Sequence, residues 1–344
     1  MSTDSKNISS FYTSVNRYGK NILYRGFEGT TRVKRRIPFK PTLFLPTTET
    51  SDWKTLAGKP VAPAQFETMR DASDFVKKYE EVDNFPIYGT DNFVNQYITE
   101  SFPSGDVEFD ESLPIVANFD IEVHSEDGFP FPEQAAHPVT AIALKMLHDD
   151  TYYVWALKDY DPDKCDLEGV NAIHFTKCED EIQLLLDFVH FWAREDVSPD
   201  IITGYNIRFF DVPYLINRMK NIIGGTVYEK FSPWNIVQER EIFVAGRKKT
   251  TYEMIGIQQL DYYDLFQKFG FIYGQQPSYS LDSIANVVLG ARKLSYAEHG
   301  NLRNLYNNDH QLYVTYCIRD VQLVELMEHK IGLIKLAMTM AYRG

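Results

Sequence analysis

The run Val116-Ala117-Asn118-Phe119-Asp120-Ile121-Glu122-Val123 reads as a buried strand, yet it carries two carboxylates two positions apart. Side chains at i and i+2 of a strand share a face, so Asp120 and Glu122 point the same way. Two neighbouring anions on an apolar strand repel each other and lose hydration unless a cation lies between them. Magnesium or manganese, bound through carboxylate oxygens, meets that need.

The surrounding pattern predicts an α/β domain. Strands are expected over Ile115–Val123, Thr140–Leu147 and Tyr152–Leu157, joined by short connections into an antiparallel meander. Apolar residues at helical spacing (Ile182, Leu185, Leu186, Val189, Trp192) predict a helix over Glu179–Glu195. A strand over Asp200–Asn206, a helix over Asp211–Ile223 and a short helix over Ser280–Leu289 with Ser280 as N-cap follow. His310–Tyr342 has no internal proline and reads as one long helical region. Before this, residues 1–110 alternate strand-like runs with turns at Tyr18-Gly19-Lys20-Asn21 and Gly26-Phe27-Glu28-Gly29. They also hold an edge strand closed by prolines over Lys40–Pro46 and a helix over Met69–Glu81. Pro103-Ser104-Gly105-Asp106 marks the expected boundary between a small α+β domain (1–110) and the α/β domain (111–344).

Three cysteines, Cys165, Cys178 and Cys317, lack metal-ligand or disulfide spacing, which suits a reducing cytoplasm. No signal peptide or long uncharged apolar run occurs, which argues against membrane insertion. The net charge of -13 argues at first against a nucleic-acid partner, but charge is uneven along the chain. Arg32, Lys34, Arg35 and Arg36 lie close together, and Arg247-Lys248-Lys249 form a second basic cluster. Either cluster could track a phosphate backbone or simply be a solvated surface.

Two further segments carry acids. Thr203-Gly204-Tyr205-Asn206-Ile207-Arg208-Phe209-Phe210-Asp211 ends where a strand leads into a helix, and Tyr316-Cys317-Ile318-Arg319-Asp320 places Tyr316 and Asp320 on one helix face. Asp120, Glu122, Asp211 and Asp320 with Tyr316 could converge on two divalent ions about 3.5–4 Å apart, as in-line phosphoryl displacement requires. Taken singly, Asp211 could be a helix cap and Asp320 a solvated helix residue.

These segments resemble the three exonuclease motifs of DEDDy 3′→5′ exonucleases. The whole chain resembles the N-terminal part of T-even-phage-like family B DNA polymerases, through Asn118–Pro130, Thr203–Asn217, Pro277–Ala285 and Leu302-Arg303-Asn304-Leu305 leading to Asp320-Val321. The resemblance implies a ribonuclease-H-like mixed sheet flanked by helices, acting on single-stranded or frayed 3′ ends of DNA with two cations, Mg2+ or Mn2+. It implies that Asp120 bridges both ions, that Glu122 and Asp320 complete one site, that Asp211 serves the other, and that Tyr316 with Glu122 orients the attacking water. It further implies that Phe129 stacks on the terminal base and that Asn206 contacts the frayed strand. From the residues alone, a packed turn aromatic and an Asx-turn remain alternatives for these two. The segment Ile242–Ile257, tipped by Ala245-Gly246-Arg247-Lys248, reads as a β-hairpin that in this family helps separate primer from template, or as an ordinary surface hairpin.

Neither the Ser-Leu-Tyr-Pro-Ser motif nor the Asp-Thr-Asp pair of the family's polymerising palm occurs, and Tyr88-Gly89-Thr90-Asp91 has only one aspartate. The chain is therefore expected to need a palm, fingers and thumb portion that is missing or lies on a separate chain. The last helix would lead toward that palm, and the protein would work in the host cytoplasm if phage-encoded. A nucleic-acid-binding or docking subunit with little catalysis of its own is the alternative. A ribonuclease of the same class is a third reading, which would need preference for a 2′-hydroxyl.

Overall fold

The computed structural model describes residues 10–82, 85–103, 107–125, 128–244 and 246–343, the side chains of Arg247 and Arg343 excepted. Ser104–Asp106 of the expected boundary, Asp127 beside Phe129 and Ala245 at the hairpin tip thus lie outside the described residues. The chain divides into two compact units, residues 1–109 with 342–344, and residues 110–341.

In the first unit, β1 (Ser10–Tyr18), β2 (Asn21–Glu28) and β3 (Thr31–Pro38) form an antiparallel sheet in that order. Of the expected turn Gly26-Phe27-Glu28-Gly29, Gly29 does reverse the chain between β2 and β3, whereas Gly26 lies within β2. A Cβ there would lie 2.2 Å from the Phe11 carbonyl oxygen, so Gly26 serves close backbone approach, not chain reversal. β4 (Thr42–Pro46) pairs with β5 (Val61–Gln65) and bridges through Phe44 to Tyr88, and α1 (Met69–Tyr79) and α2 (Phe93–Ser101) follow β5. The Thr68 hydroxyl caps α1 by accepting from Asp71 N, and the helix ends two residues before the expected Glu81.

The second unit is built on β6 (Val116–Val123), β7 (Val139–Met146), β8 (Thr151–Ala156), β9 (Ala172–Lys177) and β10 (Ile201–Thr203). Helix α3 (Glu181–Trp192) precedes β10, and α4 (Asp211–Ile222) follows it. Next come β11 (Val237–Val244), β12 (Arg247–Met254), β13 (Gln258–Gln259), α5 (Tyr262–Phe269), α6 (Leu281–Leu289), α7 (Leu302–Asn308), α8 (His310–Ile331) and α9 (Leu333–Arg343). The six-stranded sheet has the order β13-β10-β6-β7-β8-β9. Its centre is the expected antiparallel meander β6-β7-β8, whereas β9, β10 and β13 add parallel. The result is a mixed sheet with helices on both faces.

Alternation along the strands decides which face each side chain meets. Phe119, Ile121, Ile142 and Leu144 pack with Phe188 and Trp192 of α3 and Leu215 and Ile216 of α4. The opposite face carries Ala141, Ala143 and Ala156, which pack with Val314, Ile318 and Val321 of α8. Asp120 pairs across with Ala143 and Glu122 with Ala141, so the acid pair lies on the small-residue face that α8 covers.

Three expectations are corrected by backbone geometry. The strand expected over Asp200–Asn206 stops at Thr203, because Asn206 takes a left-handed conformation (φ 66°). The long helix from His310 breaks at Gly332, a left-handed C-cap (φ 59°), so Leu333 starts a separate helix; absence of proline was insufficient to keep it whole. The hairpin begins at Val237, five residues earlier than expected, and its second strand ends at Met254.

Arg218 of α4 makes a two-pronged pair with Glu181 of α3 (2.8 and 2.7 Å) and also donates to the Ala135 and Ala136 carbonyls. Glu181 in turn accepts from Val139 N (2.7 Å), tying both helices to β7. Arg218→Ala would leave a mostly buried carboxylate unpaired. A loss of about 3 kcal/mol is expected in the urea unfolding transition followed by fluorescence of Trp155 and Trp192. A loss below about 1 kcal/mol would mean the pair is not what holds α4.

Candidate active site

A cavity of about 620 Å³ opens where β6, the loop after β10 and α8 meet. Its lining includes Asp120, Glu122, Phe129, Asn206, Asp211, Tyr316 and Asp320. The four acids and Tyr316 singled out in the sequence therefore share one site with Phe129 and Asn206. Lys248 and Lys249 do not line it. They belong to β12, where Lys248 pairs with Glu241 (2.5 Å) and the Lys249 ammonium lies over the Phe209 ring at 4.5 Å. Arg247's side chain is outside the described residues.

Each acid is held by local structure. Glu122 (6 % exposed) and Asp120 project from β6 toward α8, and the Asp120 and Glu122 oxygens and the Cys317 sulfur all lie within 4.8 Å of one another. Asp211 is not a helix cap, since Phe210 occupies that position without a side-chain bond. Instead the Asp211 carboxylate, 2 % exposed, accepts from Ile121 N at 3.1 Å, locking the start of α4 to β6. Asp320, 4 % exposed, is not solvated; one oxygen pairs with Lys293 Nζ at 2.5 Å and the other has no hydrogen-bond partner among the described residues.

Lys293 escaped the sequence reading. It follows α6, donates to the Tyr316 hydroxyl at 2.8 Å and lines the cavity. The signal available was the acid cluster itself, which calls for a positive charge. A single lysine in Arg292-Lys293 has no spacing that marks it, because lysines are ordinarily solvated.

Burial is the first cause that raises the pKa of all four acids, and the neighbouring carboxylates add to it for Asp120, Glu122 and Asp211. Asp120 rises well above the usual carboxylate range through burial and then the charges of Asp211, Asp320 and Glu122. Burial and Asp320 lift Glu122 to about 8, with Lys293 opposing. Burial lifts Asp211 to about 7 against the bond from Ile121 N, and lifts Asp320 to about 6 against Lys293. Burial pulls the Lys293 ammonium down, but Asp320, Tyr316 and Asp120 outweigh it and keep it charged. Burial and Asp320 raise the Tyr316 phenol, so it stays protonated near neutrality. Four crowded carboxylates with one lysine, and an orphaned buried oxygen among them, form a hard-oxygen donor set suited to divalent cations.

Above this floor stands Phe129, 60 % exposed, its ring edge-on to Phe131 (5.4 Å) and tilted against Phe210 (5.6 Å). It is thus not the core-packed turn residue that remained open from the sequence. Asn206 lines the wall in its left-handed conformation.

The sequence pattern of the DNA polymerase family B exonuclease domain matches residues 63–284. The chain belongs to this family. It is 33% identical to the DNA-directed DNA polymerase of Escherichia phage RB69 and 32% identical to that of Enterobacteria phage T4, over 97% of this chain in each case. A lower-coverage relative is the DNA polymerase delta catalytic subunit of Glycine max, 29% identical over 65% of this chain. The alignments span 39% and 38% of the two phage proteins, so this family B chain covers about two fifths of the length of those relatives. Among the described residues, no helix is long and apolar enough to cross a membrane.

The raised carboxyl pKa values make the stability of this exonuclease domain depend on pH. Unfolded Glu and Asp release their protons at 4.5 and 3.8, whereas the folded site retains some up to about pH 8. In that window the folded state binds more protons, so this site's contribution to stability falls as pH rises. Metal-free protein should therefore melt lower at pH 8 than at pH 5 by differential scanning fluorimetry. Excess Mg2+ should restore melting at pH 8 but act little at pH 5, and Asp120→Ala should flatten the dependence. An unchanged slope in D120A would place its origin elsewhere.

Proposed function

We propose that this chain is the 3′→5′ proofreading exonuclease portion of a phage-type family B DNA polymerase, with a ribonuclease-H-like fold. On this reading it removes 3′-terminal nucleotides from single-stranded or frayed DNA. The observation that carries this is the convergence of four like-charged carboxylates, Glu122, Asp211 and Asp320 buried and Asp120 partly so, at the floor of an open cavity with an exposed aromatic ring at its wall.

Asp120, Glu122 and Asp320 would hold one divalent cation, and Asp120 with Asp211 a second, either Mg2+ or Mn2+. When bound, the cations supply charge stabilisation at the entering and leaving oxygens of the scissile phosphate. The protein's own groups orient the reactants. Lys293 holds Tyr316 by donating to its oxygen, so the phenolic proton is free to hydrogen-bond a water or a phosphate oxygen. The raised Tyr316 pKa makes this an orienting contact, not proton abstraction. Phe129 offers a face to the terminal base, and base stacking tolerates any sequence. Asn206 would contact the strand behind it. The basic strand β12 would contact DNA outside the cavity.

The chain would act with a palm, fingers and thumb portion, on the same or another polypeptide, in the host cytoplasm. The limited share of the phage relatives that it spans supports this.

Incubation with a 5′-labelled single-stranded DNA and Mg2+ or Mn2+ should give a descending ladder, and Asp120→Ala should abolish it while retaining the fold. Absence of a ladder with either metal would leave a binding module, and faster loss of RNA than DNA would favour a ribonuclease. Phe129→Ala should raise KM for single-stranded DNA roughly tenfold with a smaller change in kcat, as the loss of one stacking contact predicts. An unaltered KM would remove Phe129 from the binding face.

A further inference from the structure

The loop that carries Tyr205, Asn206, Phe210 and Asp211 to the cavity is fastened from behind by the segment leading into α5. Leu260 N donates to Ile202 O and Tyr262 N to Gly204 O, both at 2.9 Å, and the Thr203 hydroxyl donates to Leu260 O at 2.7 Å. Gly204 fits only without a side chain, since a Cβ would come within 2.6 Å of Phe119 O. At the centre is Asp261, 3 % exposed, whose carboxylate does not line the cavity. One oxygen accepts from Asn206 N (2.8 Å) and Tyr263 N (3.0 Å), and the other from Arg208 N (2.9 Å).

Only the Tyr263 bond is needed to cap α5. The other two cross to the loop and hold Asn206 in its left-handed turn, so the N–H groups of residues 206 and 208 converge on one anion. A carboxylate suits three donors because it only accepts, and its charge strengthens each bond. An asparagine would turn an NH2 group toward at least one of those N–H groups.

We propose that Asp261 is a positioning residue for the exonuclease site: its carboxylate sets the loop so that Asn206 faces the DNA strand and Asp211 enters α4 against β6. This rests on the exonuclease reading for its kinetic consequence, but not for its structural one. Substitution should act through geometry and through the cation held with Asp211, not through contact with substrate.

Asp261→Ser separates the two duties, since serine still caps a helix but is too short to reach residues 206 and 208. D261S should still unfold in one cooperative transition, at a lower melting temperature because two amides lose their acceptor, and lose about 100-fold in kcat on single-stranded DNA, the cost of a small misplacement of reacting groups. Its Mn2+ affinity by calorimetry should fall about tenfold, as when a metal ligand loses its support. Amide hydrogen exchange at Asn206 and Arg208 should become fast while that of β6 stays slow. Asp261→Asn, which keeps one acceptor, should recover part of the activity and protection. Retained protection at both amides, or wild-type kcat and Mn2+ affinity in D261S, would overturn the proposal. If wild-type protein cleaves no DNA, the exonuclease reading fails, and amide exchange with Mn2+ binding still decides the role of Asp261.

Discussion

The repulsion among Asp120, Glu122, Asp211 and Asp320 is the constraint around which the exonuclease domain is organised. Four carboxylates meet within one small volume, three of them buried and Asp120 partly so, and loss of hydration drives the pKa of every one up. Such a cluster is unfavourable in a metal-free protein. It persists because the acids are anchored on three rigid elements: Asp120 and Glu122 by a central strand, Asp211 by a helix start, Asp320 by the middle of α8. No single local rearrangement can move the charges apart.

The scaffold accommodates that load by asymmetry between the two faces of the sheet. The face away from the site is filled with large side chains, Phe119, Phe188 and Trp192 among them. The site face is lined by alanines opposite the acid pair, which lets α8 approach closely and bring Tyr316 and Asp320 to the strand. Lys293 supplies one fixed positive charge and holds the Tyr316 hydroxyl at the same time. One lysine offsets only part of four negative charges, which leaves the site with a standing attraction for divalent cations.

A second set of constraints acts on the backbone. Gly204 permits a close approach to β6, Asn206 turns the chain in the left-handed region, and Asp261 gathers the resulting N–H groups. The effect is to stop β10 after three residues and release the loop toward the cavity. An acid outside the carboxylate cluster thus shapes the wall that an acid inside it depends on.

The alternation of Val116–Val123 and the spacing of Tyr316 and Asp320 were legible because they depend only on strand and helix periodicity. The same holds for the meander β6-β7-β8 and for Ser280 as an N-cap, where local propensity and tertiary structure agree. The family and its motif order were also readable from sequence, since motif spacing survives where overall identity is about one third. Only the tertiary structure decided the rest. Lys293, Asp261 and the parallel strand β9 act through partners distant in sequence, which no local pattern records. Gly332 ended a helix whose apolar pattern continued, because a left-handed residue redirects the backbone whatever follows it. The hairpin lysines, conspicuous as a cluster, were placed outside the cavity by strand pairing that their charge could not reveal.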